Sequence, residues 1–203
     1  MRLLVFDQRS LSLIRRVADG VDLLEGGRYS PSPTARRAAV LVPLCNREGI
    51  ASVLFTVRTQ KVSTHKGQAS SRGHINAGED AVAAALRETR EEIGDSVGPI
   101  DVLGTCGRVP AATGTVVMPV IGYLENDVGD LSQLQLSDDE VDSAFTVSVA
   151  DLIDPQRREV DMLGPRGDMP AFTGGPERIW GLTAFIIDGL LRSTIMPALR
   201  PPT

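Results

Sequence analysis

The 203 residues contain only two cysteines, Cys45 and Cys106. They are far apart and form no C-x-x-C pair, so neither a zinc site nor a disulfide framework is indicated. A reducing, cytoplasmic setting is expected. No apolar run approaches the roughly 20 residues needed to span a bilayer, and Leu3 to Phe6 is too short for a signal-peptide core. There is no excess of positive charge either. With Lys+Arg at 21 and Asp+Glu at 26, the net charge is -5 and the pI about 5.1. That balance argues against a broad electrostatic grip on nucleic acid or an anionic membrane. A polyanionic substrate would therefore need a local basic patch or a bound cation. Internal repeats and low-complexity tracts are missing as well.

The hydrophobic share, 42%, is enough for one well-buried core. Met1 to Arg16 carries Arg2, Arg9, Arg15 and Arg16 against Asp7 alone. This fits an ordinary amphipathic first helix, with a mitochondrial-targeting segment as the alternative. Helical spacing of apolar residues from Leu11 to Leu24 precedes Gly26-Gly27 and the proline-rich turn Ser30 to Pro33. The expected organisation is an N-terminal helix and linker over 1–33, a catalytic domain over 34–194 and a tail over 195–203. Within the domain, Ala38 to Leu44 and Ile50 to Val57 read as strands joined by the turn Asn46 to Gly49. Further strands are expected at Ile100 to Thr105, Thr115 to Tyr123 and Ser143 to Val149. Ala81 to Ile93 predicts a helix stopped by Gly94, and Ile179 to Arg192 a final one.

One stretch carries chemistry. Gly73 is followed after five residues by Glu79, after seven more by Arg87-Glu88, after two by Glu91-Glu92 and after one by Gly94. At about 100° per residue, Glu88, Glu91 and Glu92 share one sector of a helix, and Val82, Leu86, Thr89 and Ile93 share the other. A solvated acidic face is the ordinary meaning of such a cluster. Yet like charges three and four residues apart repel, and a helix C-terminus is the unfavourable end for anions. A divalent cation removes both objections, and hard oxygen ligands suit magnesium or manganese. Arg87 can reach Glu91 one turn on and hold it. Gly73 leaves room for its carbonyl to approach a metal. Glu79 and Asp80 fit the positive N-terminal end of the helix, a structural role.

Seven fixed residues at fixed spacing are a specific match, and the stretch is identified as the box of the Nudix hydrolase family. Upstream, Leu54-Phe55-Thr56-Val57-Arg58-Thr59-Gln60-Lys61-Val62-Ser63-Thr64-His65-Lys66-Gly67-Gln68 resembles L-L-T-x-R-S-x-x-L-R-x-H-x-G-Q, a signature of the coenzyme A diphosphatase branch. Ala38 to Leu44, Met118 to Gly122, Asp139 to Phe145 and Arg178 to Thr183 are similar to that branch in the same order. The resemblance implies an α+β Nudix fold, a mixed β-sheet between helices in an α/β/α sandwich. It also implies magnesium- or manganese-dependent cleavage of coenzyme A or its thioesters to 3′,5′-ADP and 4′-phosphopantetheine or its acylated form. Glu88, Glu92 and then Glu91 are the implied metal ligands, with the Gly73 carbonyl. Glu140 is the candidate general base, with a solvated turn acid as its other reading. Glu91 and Arg87 complete the catalytic set. Arg58, Lys61, His65 and Lys66 are candidates for the extra phosphate of coenzyme A.

The sequence departs from that branch before the helix. The family has F-P-G-G there, whereas Gln68 is followed by Ala69-Ser70-Ser71-Arg72-Gly73, with Arg72 in place of the first glycine. Arg72 is then either a strained residue that displaces the Gly73 carbonyl or a cation aimed at a substrate phosphate, and the second is expected. Ser63 and Asp95 also differ from the pattern. The expected partner is a small-molecule diphosphate, not nucleic acid or membrane, with a homodimer among the open oligomeric states. Two other functions stay open: a Nudix hydrolase for ADP-ribose or a dinucleotide, and a binding module of the same fold that has lost catalysis.

Overall fold

A computed structural model describes residues 4–24, 32, 34–59, 72–162 and 168–201. Its centre is a sheet of seven strands: β1 (Arg37–Arg47), β2 (Ile50–Arg58), β3 (Arg72–His74), β4 (Ile100–Thr105), β5 (Val109–Pro110), β6 (Val116–Leu124) and β7 (Val141–Ser148). The order is β4-β6-β1-β2-β7, with β3 on β1 and β5 on β6. β1 runs parallel to β6 and antiparallel to β2 and β3, which makes the sheet mixed.

The uninterrupted apolar run of β1 has a direct cause. Ala38, Val40, Val42 and Leu44 enter one core, and Ala39 and Leu41 enter another on the opposite face. A strand covered on both sides loses the alternation of a half-solvated one. The first face is covered by α1 (Gln8–Val17), α4 (Gly181–Leu190) and the helical turns after it, the second by α2 (Ala81–Ile93). This is the α/β/α sandwich. β1 and β2 are joined by Glu48 and Gly49, both at positive φ, 52° and 73°. Such turns match the right-handed twist of paired strands. Asp127 accepts hydrogen bonds from both turn N–H groups, at 2.8 and 2.9 Å.

At the N-terminus, the helix read from Leu11 to Leu24 instead occupies Gln8–Val17 and continues as a 3₁₀ turn to Gly20. Asp7 starts it early, through a reciprocal cap in which its carboxylate accepts from the Ser10 N–H at 2.8 Å. Leu11 and Ile14 then join the strands' own core, as do Val21 and Leu23 beyond the helix. At the other end, α4 passes into a π-turn (Leu191–Ile195) and α5 (Met196–Leu199), so 19 helical residues run from Gly181 and a stretch of 18 within them has a mean hydropathy of 1.4. This corrects the reading that no apolar run approaches membrane-spanning length. Ile187, Leu190, Leu191 and Ile195 explain the composition, for they are buried against the sheet side of the body. A short helix α3 (Val149–Ile153) and a hairpin of β8 (Arg158–Met162) with β9 (Asp168–Phe172) were not legible in the sequence.

Candidate active site

Helix α2 is fixed at both ends. The Asp80 carboxylate caps it by accepting from the Ala83 N–H at 2.7 Å. Gly94 ends it at φ 76°, where any side chain would also meet Gln135. Ala81, Ala84 and Ala85 lie on β1 and β6. Their small side chains let the helix sit close to the sheet, which leaves the next face along the helix beside β3 and the end of β2.

Arg87 organises that face. Its Nε donates to Glu79 Oε1 at 2.9 Å, and its Nη2 to Glu79 Oε2 and the His74 carbonyl, both at 3.1 Å. Nη1 donates to Glu88 Oε1 at 2.6 Å and to Glu91 Oε2 at 3.0 Å. The planar fork of a guanidinium suits this many acceptors in a way that an ammonium cannot. Glu79 also accepts from the Asn76 N–H at 2.9 Å. The Arg87 hydrogen bond, and then the Asn76 N–H, hold the Glu79 carboxyl below its ordinary value. Glu79 first and Glu88 second push the guanidinium of Arg87 further up. The expected Arg87–Glu91 contact is present, and the clamp on Glu79 goes beyond the helix-end role expected of that residue.

Gly73 packs against Glu88. A Cβ on Gly73 would fall 1.7 Å from Glu88 Cδ and 2.1 Å from Oε1. The glycine is therefore required by proximity to a carboxylate rather than by an unusual backbone angle. Arg72, beside it, is paired with Val40 as part of β3. A strand residue is extended, a conformation open to any L residue, so the strained alternative for Arg72 has no support.

Glu92 lies one turn beyond Glu88 on α2, as helical angles predict, and differs from Glu88 and Glu91 in burial. It is fully buried. The Thr56 hydroxyl donates to its Oε2 at 3.2 Å, and Arg58 Nη1 donates to its Oε1 at 3.3 Å. Arg58, expected on a substrate phosphate, thus lies on a carboxylate. Glu140 belongs to the same corner through its backbone. Its carbonyl accepts from the Thr59 N–H at 3.0 Å, and its N–H donates to the Ser137 carbonyl at 3.0 Å. The Ser137 N–H in turn donates to the Glu92 carbonyl at 2.9 Å. Lys61, His65 and Lys66 lie outside the described residues.

Two hydrogen-bonded groupings result, Glu79, Glu88 and Glu91 around Arg87 with Gly73 against Glu88, and Thr56, Arg58 and the Glu140 loop around Glu92, which is next to Glu91 in the last turn of the helix. Among the described residues, no three His, Cys, Asp or Glu side chains converge into one metal cluster. The donor chemistry nevertheless fits a hard divalent cation, because Glu88 and Glu91 offer carboxylate oxygen alone and the absence of a side chain on Gly73 lets the Glu88 carboxylate lie against its backbone. Thr56 was missed in the sequence. Its position two residues before Arg58, on the same strand face, was the available signal.

The NUDIX domain family model matches residues 35–163. The chain is 37% identical over 179 residues to the mitochondrial coenzyme A diphosphatase of Homo sapiens, covering 84% of this chain and 74% of that protein. It is 36% identical to its counterpart in Mus musculus, covering 82% and 81%. Among solved structures, a MutT/nudix family protein from Enterococcus faecalis aligns with 96% of this chain and 80% of its own, at a TM-score of 0.51 and 15% identity. That last likeness concerns the fold alone.

Proposed function

Because the chain belongs to the Nudix hydrolase family, we propose that it cleaves the diphosphate bond of coenzyme A or an acyl-coenzyme A. The products are 3′,5′-ADP and 4′-phosphopantetheine or its acylated form. The observation that carries the substrate is the identity to two coenzyme A diphosphatases, 37% and 36%, over more than four-fifths of this chain. The upstream segment from Leu54 to Gln68, which resembles the signature of that branch, agrees with it. Those relatives are mitochondrial by name, which supports the mitochondrial alternative for this chain over the cytoplasmic expectation.

Nudix hydrolases use divalent cations, and magnesium or manganese is the proposed ion here, held by Glu88, Glu91, Glu92 and the Gly73 carbonyl. When bound, the cation polarises the diphosphate and lowers the pKa of the attacking water. The remaining work belongs to the side chains. Arg87 fixes Glu88 and Glu91 so that their charges are set before substrate arrives, and preorganised charge costs no rearrangement during reaction. Glu140, on the loop clipped to Thr59 and Ser137, is the proposed base that takes a proton from the attacking water. Arg72, at the edge of this site, is the proposed phosphate contact. Lys61, His65 and Lys66 are proposed for the extra phosphate of coenzyme A, on the resemblance alone.

The test is a panel of coenzyme A, acetyl-coenzyme A, ADP-ribose and NADH, each incubated with magnesium or manganese, with products separated by chromatography. Release of 3′,5′-ADP from the coenzyme A substrates, at a kcat/KM at least tenfold above the others, is expected. Preferential cleavage of ADP-ribose or NADH overturns the assignment.

A further inference from the structure

Two side chains of β2 meet helix α2 at Glu92. Strand alternation sends Phe55 and Val57 into the core under α1 and α4, and it sends Thr56 and Arg58 to the other face. Thr56 is buried, at 2% exposure, and Glu92 has none. A carboxylate taken out of water needs donors, and these two residues supply one to each oxygen, at 3.2 and 3.3 Å. With both oxygens engaged from one rigid strand, rotation about the end of the glutamate is fixed.

The same segment of β2 holds the Glu140 loop. Arg58 pairs with Val141 across the sheet, and the Thr59 N–H donates to the Glu140 carbonyl. Ser137 closes the circuit, taking hydrogen bonds from the Glu140 and Val141 N–H groups at 3.0 and 2.8 Å and giving its own to the Glu92 carbonyl. Glu92 and Glu140 therefore share supports within 56–59.

Resting on the assignment of Glu92 to the cation, we propose that Thr56 and Arg58 are positioning residues for the Glu92 carboxylate, and that Arg58 acts on that carboxylate rather than on a substrate phosphate. A threonine hydroxyl is a small neutral donor, so its removal changes the aim of the carboxylate without changing charge. An arginine on a substrate phosphate would instead contribute to substrate binding and appear in KM.

The experiment titrates manganese alone into the full chain, reading free ion by electron paramagnetic resonance, and measures kcat and KM for coenzyme A. Parent, Thr56→Val, Thr56→Ser, Arg58→Gln and Glu92→Gln are compared, each checked for folding by circular dichroism. Thr56→Val is expected to weaken manganese binding at least fivefold while KM stays within twofold, and Thr56→Ser restores both to within twofold. Arg58→Gln, which keeps a donor on Glu92, is expected to leave KM within twofold while kcat falls at least tenfold. Parent-like manganese binding by Thr56→Val, beside weakened binding by Glu92→Gln, overturns the positioning role. A tenfold rise in KM for Arg58→Gln with unchanged manganese affinity overturns it in favour of a direct phosphate contact, and this decides alone if Thr56→Val does not fold. Parent-like manganese binding by Glu92→Gln strikes instead at the assignment of Glu92 itself.

Discussion

Glu88 occupies the space that a side chain on Gly73 would need, with its Cδ 1.7 Å from where a Cβ would stand. Gly73→Ala must therefore push the Glu88 carboxylate off its position. The displaced group is the end of a flexible side chain, so the change in unfolding free energy should stay within about 1 kcal/mol. Turnover should fall at least 100-fold. Kinetics paired with urea unfolding test this, and a variant with parent-like kcat would show that Glu88 is not needed where it stands.

Arg87→Lys keeps the charge and loses the fork that engages Glu79, Glu88 and Glu91. We expect kcat to fall at least tenfold with KM within threefold. The Arg87 side chain is 31% exposed, so stability should change by no more than about 1 kcal/mol. A rise in KM without loss of kcat would make Arg87 a substrate contact instead.

Acidification should leave the Arg87–Glu79 clamp in place through the ordinary glutamate range. The folded Glu79 pKa lies below its usual value of 4.5. A depressed folded value means a contribution fully present above the unfolded pKa and lost only as pH falls through the folded one. Glu79→Gln and the parent should therefore differ in thermal stability by a constant amount from pH 8 to pH 5, and converge only below about 4.5. Convergence already at pH 6 would rule out this account.

Glu140→Gln should lower kcat at least tenfold and leave manganese binding within twofold of the parent, since the glutamine keeps the backbone clips to Thr59 and Ser137. Parent-like turnover would return Glu140 to the role of a turn residue.

Burial pushes the thiols of Cys45 and Cys106 up to about 12. A thiol rather than a thiolate is poorly nucleophilic. Neither should react with iodoacetamide at pH 8 in the folded protein, and both should react in guanidinium. Mass spectrometry after timed labelling checks this, and rapid modification of either one in the folded state contradicts its burial.

Ile14 has no exposed surface and belongs to the same core as the sheet. Ile14→Ala should cost about 2–5 kcal/mol in the single unfolding transition of the whole body. A separate, early transition would mean that α1 melts on its own.

The parts of this protein that were legible in its sequence are those governed by short spacing. Helix α2 over Ala81–Ile93 and strand β4 over Ile100–Thr105 follow from periodicity, β-branching and a terminal glycine, and Arg87 reaches Glu91 because four residues make about one turn. Other features depend on contacts between distant segments. Glu92 meets Thr56 across 36 positions, and Arg87 meets the His74 carbonyl across 13. Helical angles put Glu92 in one sector with Glu88 and Glu91, and only its contacts with Thr56 and Arg58 of β2 single it out as the buried one. The same limit hid the β8–β9 hairpin, where Arg178 of the following segment bridges Glu159 and Asp161. The family, the helix and its charges can be read from the chain's order of residues, because those patterns are local. Which carboxylate is buried, which arginine neutralises it and what fills the space beside Gly73 follow only from the folded chain, because each depends on where the sheet brings remote residues together.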